Sequence, residues 1–494
     1  MKLVAWFSEV DKDDVGLVGG KGANLGELTR AGIPVPSGFI LTAHAYSHFL
    51  DQSGVRSQIE QLLAGLDVND SATLQHVAAE IKQLITSAQI PQGVAGQVAR
   101  CYREMGGGPV AVRSSATAED LAEASFAGQQ STYLNVIGEE QVTRAVQDCW
   151  ASLFEARAIF YRQNAGFEHL KVGIAVVVQH MVQSERSGVM FTLEPVSGAR
   201  DKIVIEAIYG LGEAVVSGVV TPDLYILNKT DLSILDRTIA QQECQLVRNP
   251  EGAAAGEYNV WLNLAPDLGA QQKLSDDDIK RLAEIGRSVE QHYGRPQDIE
   301  WAAEGGQFFL VQARPVTVTG AADDENEMEH ETAPVLMEGS PAGPGVAYGP
   351  VKIVLGPEGI DQVAKGDILV AEMTTPDFVP AMKRAAAIVT DRGGRTSHAA
   401  IVSRELGLPA IVGTGNATQV LHDEQEITVS CAEGDTAFVY TGIAKIAIET
   451  LDIAAIPATR TQVMLNMGNP AAAFRWWRLP ADGVGLARME FVVS

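Results

Sequence analysis

Apolar residues recur at helical spacing over 74–85 (LQHVAAEIKQLI) and over 141–162, where Trp150, Leu153 and Phe154 fall on one face. Short runs with strand character lie between such stretches: Val110–Val112, Gly173–Val178, Lys202–Ile205 and Phe308–Val311. This alternation runs from residue 1 to about 320 and predicts a mixed α/β unit, not a sandwich. A glycine-rich unit follows over 343–445, with short strands at Asp367–Val370, Ala387–Val389 and Ile427–Val429. Between them, 321–342 breaks the pattern. Six carboxylates fall in the nine residues from Asp323 to Glu331, followed by Pro334, Pro341 and Pro344. Like charges repel and prolines stiffen, so this segment reads as an extended linker, either a plain tether or a hinge. The tail 456–494 reads strand, helix, turn, strand and stops in an apolar run. A piece that short cannot enclose a core, which points to the start of a further domain and a chain truncated at its C-terminus.

Composition narrows the function classes. The chain has 494 residues, with 37 Lys+Arg against 62 Asp+Glu, a formal net charge of −25. That balance argues against a general nucleic-acid or anionic-membrane binder, so any anionic ligand must be met by local cations or a metal. The four cysteines, Cys101, Cys149, Cys244 and Cys431, are far apart with no metal-ligand spacing, as expected for free thiols in a reducing compartment. No signal-peptide pattern and no apolar run of about 18 residues is present, so a soluble cytoplasmic protein is expected.

Four segments carry candidate chemistry. GLVGGKGANLGEL, 16–28, fits neither a Walker A loop nor a dinucleotide fingerprint, because Val15, Gly22 and Leu25 stand at discriminating positions. What remains is a glycine-rich turn with Lys21 in its middle, suited to a phosphate but equally to a plain surface loop. In PVAVRSSATAEDLAEASFAGQQSTYLNV, 109–136, a strand delivers Arg113 into a polar turn. A planar guanidinium there can hold phosphate bidentately, or pair structurally with Glu119 or Asp120. Gly128 and Thr132 follow in a second polar turn. In DIEWAAEGGQFFLVQARPV, 298–316, Glu300 faces away from Ile299 and Trp301, and Gln312 and Arg314 share a face of the return strand. A carboxylate and an amide oxygen beside phosphates would hold Mg²⁺; the alternative is a solvent-facing hairpin edge. In TDRGGRTSHAAIVSRELGLPAIVG, 390–413, Gly393 and Gly394 bend the chain and His398 sits where a helix begins, ended by Gly407 and Pro409. An imidazole there is a competent nucleophile, and the free N–H groups favour the phosphoryl anion it would carry. A capping or core histidine is the plainer alternative.

With these motifs the chain resembles the phosphoenolpyruvate synthase (pyruvate, water dikinase) family of PEP-utilising enzymes over essentially its whole length. The blocks are VGGKGANLGEL, AVRSSATAEDLAEASFAGQQSTYLNV, SGVMFT, DIEWA with VQARPVTV, GGRTSHAAIVSRELGLPAIVG, VSCAEGDT, and NMGNPAAAF with GVGLARMEF. The resemblance implies an ATP-grasp domain over 1–320, a swivelling β/β/α phosphohistidine domain over 343–445, and over 456–494 the start of a (β/α)₈ barrel that binds pyruvate. It assigns Lys21, Arg113, Gly128, Thr132, Gln179, Glu300, Gln312 and Arg314 to ATP, with Glu300 and Gln312 also on Mg²⁺. His398 is implied as the phosphorylated nucleophile, Arg488 as a substrate ligand, and Thr396 as the target of a regulatory kinase and phosphatase. ATP, pyruvate and phosphoenolpyruvate are the implied small-molecule partners, gluconeogenesis the setting, and a homodimer the full-length state. Rivals are a pyruvate phosphate dikinase using orthophosphate, a rifampin-type phosphotransferase with another domain between the two modules, and a self-phosphorylating carrier module without synthase activity. VSCAEGDT and NMGNPAAAF favour the water-using branch, and the short linker speaks against the rifampin type.

Overall fold

The computed structural model describes residues 2–68, 70–117, 132–164, 167–195, 199–251, 257–316, 334–434, 436–443, 462, 464–467 and 483–487. The expected linker charges at 323–331, Gly128 and Arg488 lie outside these residues. One compact unit holds Met1–Glu327 and Thr332–Ala444, and a second holds Met328–Glu331 and Lys445–Ser494.

The first unit opens with an antiparallel sheet of β1 (Val4–Trp6), β2 (Gly38–Leu41), β3 (Val110–Ala116), β4 (Thr132–Val136) and β5 (Ile174–His180), in the order β1-β2-β5-β3-β4. Side chains alternate across it. Val110, Val112, Ile174, Val176 and Val178 pack under helices Ala43–Ser53, Ser71–Ser87 and Glu139–Ala151. Trp150 anchors that core, stacked on Phe49 at 4.9 Å between ring centroids. Truncating such a side chain typically costs about 3–5 kcal/mol. The expected helix over 141–162 is broken: Glu139–Ala151 gives way to a 3₁₀ turn at Ser152–Phe154 and a new helix, Ala156–Asn164.

Next comes a second antiparallel sheet, built from β6 (Arg186–Phe191), β7 (Lys202–Tyr209), β8 (Asp223–Asn228) and β9 (Ile234–Thr238). After a two-stranded ribbon of β10 (Cys244–Arg248) and β11 (Asn259–Asn263), it is completed by β12 (Gln297–Glu304) and β13 (Gln307–Pro315), in the order β13-β12-β6-β7-β8-β9. Helix Asp276–Tyr293 covers one face: Ile279, Leu282 and Val289 meet Met190, Ile205, Ile299 and Trp301. That helix starts on Ser275, whose hydroxyl accepts from Asp278 N–H, and ends on Gly294 at φ 69°.

A closed barrel follows. Its strands are β14 (Val335–Gly343), β15 (Val346–Ile353), β16 (Ile368–Ala371), β17 (Ala387–Thr390), β18 (Ala410–Val412), β19 (Glu426–Ser430) and β20 (Ala437–Thr441), closing in the order β14-β18-β17-β16-β15-β19-β20. Alternation again explains the packing. Ile368, Val370, Val389, Ile411, Ile427, Val429 and Val439 form one cluster, while Leu369, Ala371, Ile388, Ala410 and Val412 pack with Ala399 and Ala400 of helix His398–Leu406. One expectation is corrected here. Residues 335–342, read as linker because of their prolines, belong to β14, which pairs with β18 and β20. Pro341 is tolerated there because the pairing is irregular between Pro341 and Gly343.

In the second unit, β21 (Met464–Met467) and β22 (Gly483–Ala487) pair in parallel.

Candidate active site

The glycine-rich segment 16–22 is not a simple turn. It belongs to helix Val15–Arg30, interrupted at Gly19, whose φ of 69° and ψ of 170° are not helical. A Cβ on Gly19 would stand 2.2 Å from Ser115 Oγ, so only glycine fits against β3. Ser115 Oγ donates to Val18 O at 2.9 Å and accepts from Gly22 N–H at 3.2 Å, pinning the kink to the first sheet. Lys21 follows the kink, within the helix rather than in a turn.

Arg113 also differs from expectation. It lies inside β3, which continues through Ser114–Ala116, and is not at the strand's end. In the ladder it pairs with Thr132 on β4 and Val177 on β5, while Ala111 pairs with Gln179. Residues paired in a ladder point to the same side, so Thr132, Arg113 and Gln179 share a face. Ser115, two residues on from Arg113, faces the same way and brings helix Val15–Arg30 onto it. Gln179 is buried on that face, its amide donating to Pro36 O at 3.4 Å.

The second sheet answers from the face opposite helix Asp276–Tyr293. Ile299 and Trp301 point into the core, so Asp298 and Glu300 point away from it. Asp298 pairs with Arg314 and Glu300 with Gln312 across the hairpin. Arg113 reaches over from the first sheet. Its Nη1 donates to Val311 O at 2.8 Å, and its Nη2 to Glu300 Oε2 at 2.9 Å and Gln312 Oε1 at 2.7 Å. Neither expected structural partner, Glu119 nor Asp120, lies within the described residues. Arg314 is held by Asp298, with Nε and Nη2 both 2.9 Å from Oδ2. Burial pushes the Asp298 carboxyl up from its ordinary value, and Arg314 pulls it back.

His398 opens the barrel's helix His398–Leu406, behind Ser397 as N-cap residue. Its Nδ1 lies 2.9 Å from Thr374 Oγ1. The two residues before Ser397 bind the second sheet. Glu206 on β7 accepts Arg395 N–H at 2.6 Å on Oε1 and the Thr396 hydroxyl at 2.5 Å on Oε2. The Arg395 side chain donates to Glu194 at 2.7 Å, with both side chains almost fully buried. Arg404, one helix on, donates to Arg395 O at 2.8 Å. Desolvation of the half-buried Arg404 lowers its pKa, while the carboxylates of Asp298, Glu206 and Glu194 raise it. Glu206 itself is pushed up by burial, opposed by its bonds to Thr396 and Arg395.

Strand register ties these groups into one row. Glu206 pairs with Val189, Val189 with Glu300, and Glu300 with Gln312. Two strand spacings separate the Glu206 and Glu300 backbones, about 10 Å. The histidine loop and the Arg113 cluster therefore occupy neighbouring stations on one face. Among the described residues, no group of three or more His, Cys, Asp and Glu side chains is arranged to hold a metal ion. The donors near Arg113 are hard oxygens of Glu300 and Gln312. That set suits Mg²⁺, which takes one or two protein oxygens and completes its shell with phosphates and water.

Sequence reasoning missed Asp298, Glu206, Glu194 and Thr374. Asp298 had a signal, since it stands two before Glu300 and therefore shares its face. Glu206 is a lone carboxylate in an otherwise apolar strand, KIVIEAIY, which is also a legible oddity. Glu194 and Thr374 lie in loops without such a pattern. Three cysteines are buried and all four are free thiols. No described helix is long and apolar enough to cross a membrane.

Comparison with known proteins bears on these groupings. Residues 15–334 match the family model "Pyruvate phosphate dikinase, AMP/ATP-binding domain", and residues 363–434 match "PEP-utilising enzyme, mobile domain". A protein of Methanothermobacter thermautotrophicus named "Probable phosphoenolpyruvate synthase" is 48% identical over 505 residues, covering 100% of this chain and 72% of that protein. One of the same name from Archaeoglobus fulgidus is 48% identical, over 99% of this chain and 65% of its own length. The "Phosphoenolpyruvate synthase" of Pseudomonas aeruginosa is 44% identical, over 100% of this chain and 65% of its own length. The chain thus spans between 65% and 72% of these relatives.

Proposed function

This chain belongs to the phosphoenolpyruvate synthase family, and from that premise we propose that it transfers a phosphoryl group from ATP to His398 and on to pyruvate. The net reaction is ATP, pyruvate and water to phosphoenolpyruvate, AMP and orthophosphate. The observation that carries this reading is the single row in which Glu206 holds the His398 loop and Glu300 and Gln312 hold Arg113.

In the first step the imidazole attacks the β-phosphorus of ATP, the bond to the α-phosphate oxygen breaks, and AMP leaves. Water then takes the γ-phosphoryl group as orthophosphate, leaving phosphohistidine. The phosphoryl group finally passes to the enol oxygen of pyruvate. In the tautomer whose Nδ1–H donates to Thr374 Oγ1, 2.9 Å away, Nε2 carries the lone pair that attacks. The helix N-terminus then favours the phosphoryl anion. Arg113, Lys21 and Arg314 supply positive charge where phosphoryl charge builds, the main lever in such chemistry. For Arg113 this means exchanging partners: the guanidinium turns from Glu300 and Gln312 to phosphate, and the freed oxygens become available to Mg²⁺. Bound there, Mg²⁺ would neutralise polyphosphate charge. Thr132 and Gln179 share the face of Arg113, which supports roles beside the nucleotide.

The two antiparallel sheets bridged by Arg113 support an ATP-grasp reading of 1–320, and the parallel pair β21–β22 supports the opening of a (β/α)₈ barrel in 456–494. Gly128 and Arg488 keep their proposed roles from motif alone. Thr396 is proposed as the regulatory phosphorylation site, and its hydroxyl bond to Glu206 gives the modification a target: a phosphate there would face a carboxylate. A homodimer is proposed for the full-length protein.

The test uses ATP labelled at the β or the γ phosphorus with Mg²⁺, following acid-labile label on the chain. β label retained, γ label released as orthophosphate, and no label on His398→Ala are the expected results. γ label appearing as pyrophosphate only when orthophosphate is added would instead select the dikinase that uses orthophosphate. An unlabelled wild-type chain would sink the reading of His398.

A further inference from the structure

Glu206 belongs to no motif of the sequence and stands two strands away from the oxygens proposed for Mg²⁺. The residue is 1% exposed, and each carboxylate oxygen is spent on the loop that leads into His398: one takes Arg395 N–H, the other the Thr396 hydroxyl. A buried carboxylate is costly unless such donors compensate it. Here both donors come from the other module, so it is the seated histidine loop that both buries the carboxylate and satisfies it. The seat is shaped for close approach. A Cβ on Gly394 would lie 2.8 Å from Glu206 Oε1 and 2.7 Å from Pro222 Cγ. Gly393, at φ 105°, turns the chain beside Gly218. A carboxylate gripping one backbone N–H and one side-chain hydroxyl fixes both the height and the rotation of the segment two to three residues before the nucleophile.

Resting on the phosphohistidine reading above, we propose that Glu206 is the positioning residue that seats the His398 loop against the nucleotide site for phosphoryl acceptance. It touches neither nucleotide nor reacting atoms in this role. Its effect is therefore on the rate of transfer and not on ATP affinity.

The experiment follows acid-labile label from β-labelled ATP on the 494-residue chain, with ATP affinity by calorimetry and the thermal midpoint measured alongside. Glu206→Ala is expected to lower the labelling rate at saturating ATP by about 100-fold, the cost of a small misplacement, with ATP affinity unchanged. Glu206→Gln keeps a carbonyl for Arg395 N–H and is expected to lose only about 10-fold. Thr396→Val attacks the same bond from the other side. Combined with Glu206→Gln, it should lose less than the product of the single losses, because both remove one contact. Labelling at the wild-type rate in Glu206→Ala would overturn the proposal. So would parallel loss of labelling, ATP affinity and thermal midpoint in both Ala and Gln variants, which marks a merely structural carboxylate. A wild-type chain that takes no label overturns the phosphohistidine reading itself, and the assignment of Glu206 with it.

Discussion

Arg113 holds three acceptors at once, and the proposed mechanism has it give up two of them for phosphate. Its fork spans a backbone carbonyl, a carboxylate and an amide oxygen at 2.7–2.9 Å, a spread that an ammonium cannot match. Arg113→Ala is expected to slow labelling of His398 by about 100-fold or more, and Arg113→Lys to restore little of it. Initial rates at saturating Mg·ATP decide the point, and full activity in the Lys variant would contradict bidentate use. Lys273 and Asp223 make the opposite case. They pair at 2.8 Å with both side chains fully buried, and Asp223 also accepts from Ala240 N–H, Lys273 N–H and Tyr225 OH. Asp223→Ala strands an ammonium in the core, so it should cost about 3–5 kcal/mol. Denaturant melts should report that loss, while labelling per folded molecule stays near wild type.

Two glycines decide how whole elements meet. Gly19 lets helix Val15–Arg30 kink around Ser115, and a methyl group there would collide at 2.2 Å in a backbone region that alanine avoids. Gly19→Ala should therefore weaken ATP binding and lower stability together, seen by calorimetry and thermal melts. Gly394 sits between Pro222 and Glu206, where the barrel meets the second sheet. Gly394→Ala should cut labelling of His398 and leave ATP affinity intact, since it obstructs the seat and not the nucleotide face. Equal loss of both quantities would show that the two stations are not separable.

Across the first unit, the nucleotide half and the barrel meet through charge. Glu194 and Glu206 face Arg395, with Arg404 and Asp298 in the same field. There the two arginines and three carboxylates largely offset one another's charge, so the contact is held by paired charges rather than by a positive patch. Global stability has its own pH signature. The His169 imidazole is pushed down to about 4 by burial and by Arg162. Unfolded, it titrates near its ordinary value of 6.5. Its contribution to stability is therefore complete above pH 6.5 and is lost as pH falls toward 4. His169→Gln should flatten the thermal midpoint's fall over that window, and an unchanged slope would refute the assignment.

Much of this was legible in the chain. Alternation placed Glu300 opposite Ile299 and Trp301, and Gln312 beside Arg314, because a strand's period of two leaves a polar side chain one way to face. Helical spacing located Ser71–Ser87, and the Gly-Gly bend with Gly407 bounded the helix of His398. Where the sequence misled, a long-range partner was responsible. Arg113 ended a strand only on paper, because β5 extends its ladder to Ala116. Pro341 suggested a linker until β18 and β20 supplied neighbours for β14. Periodicity records which way a residue points, and motifs record the local chemistry a short segment can offer. Neither records what arrives from 190 residues away to meet Glu206, since that contact exists only once two modules have packed and a buried carboxylate has found its donors.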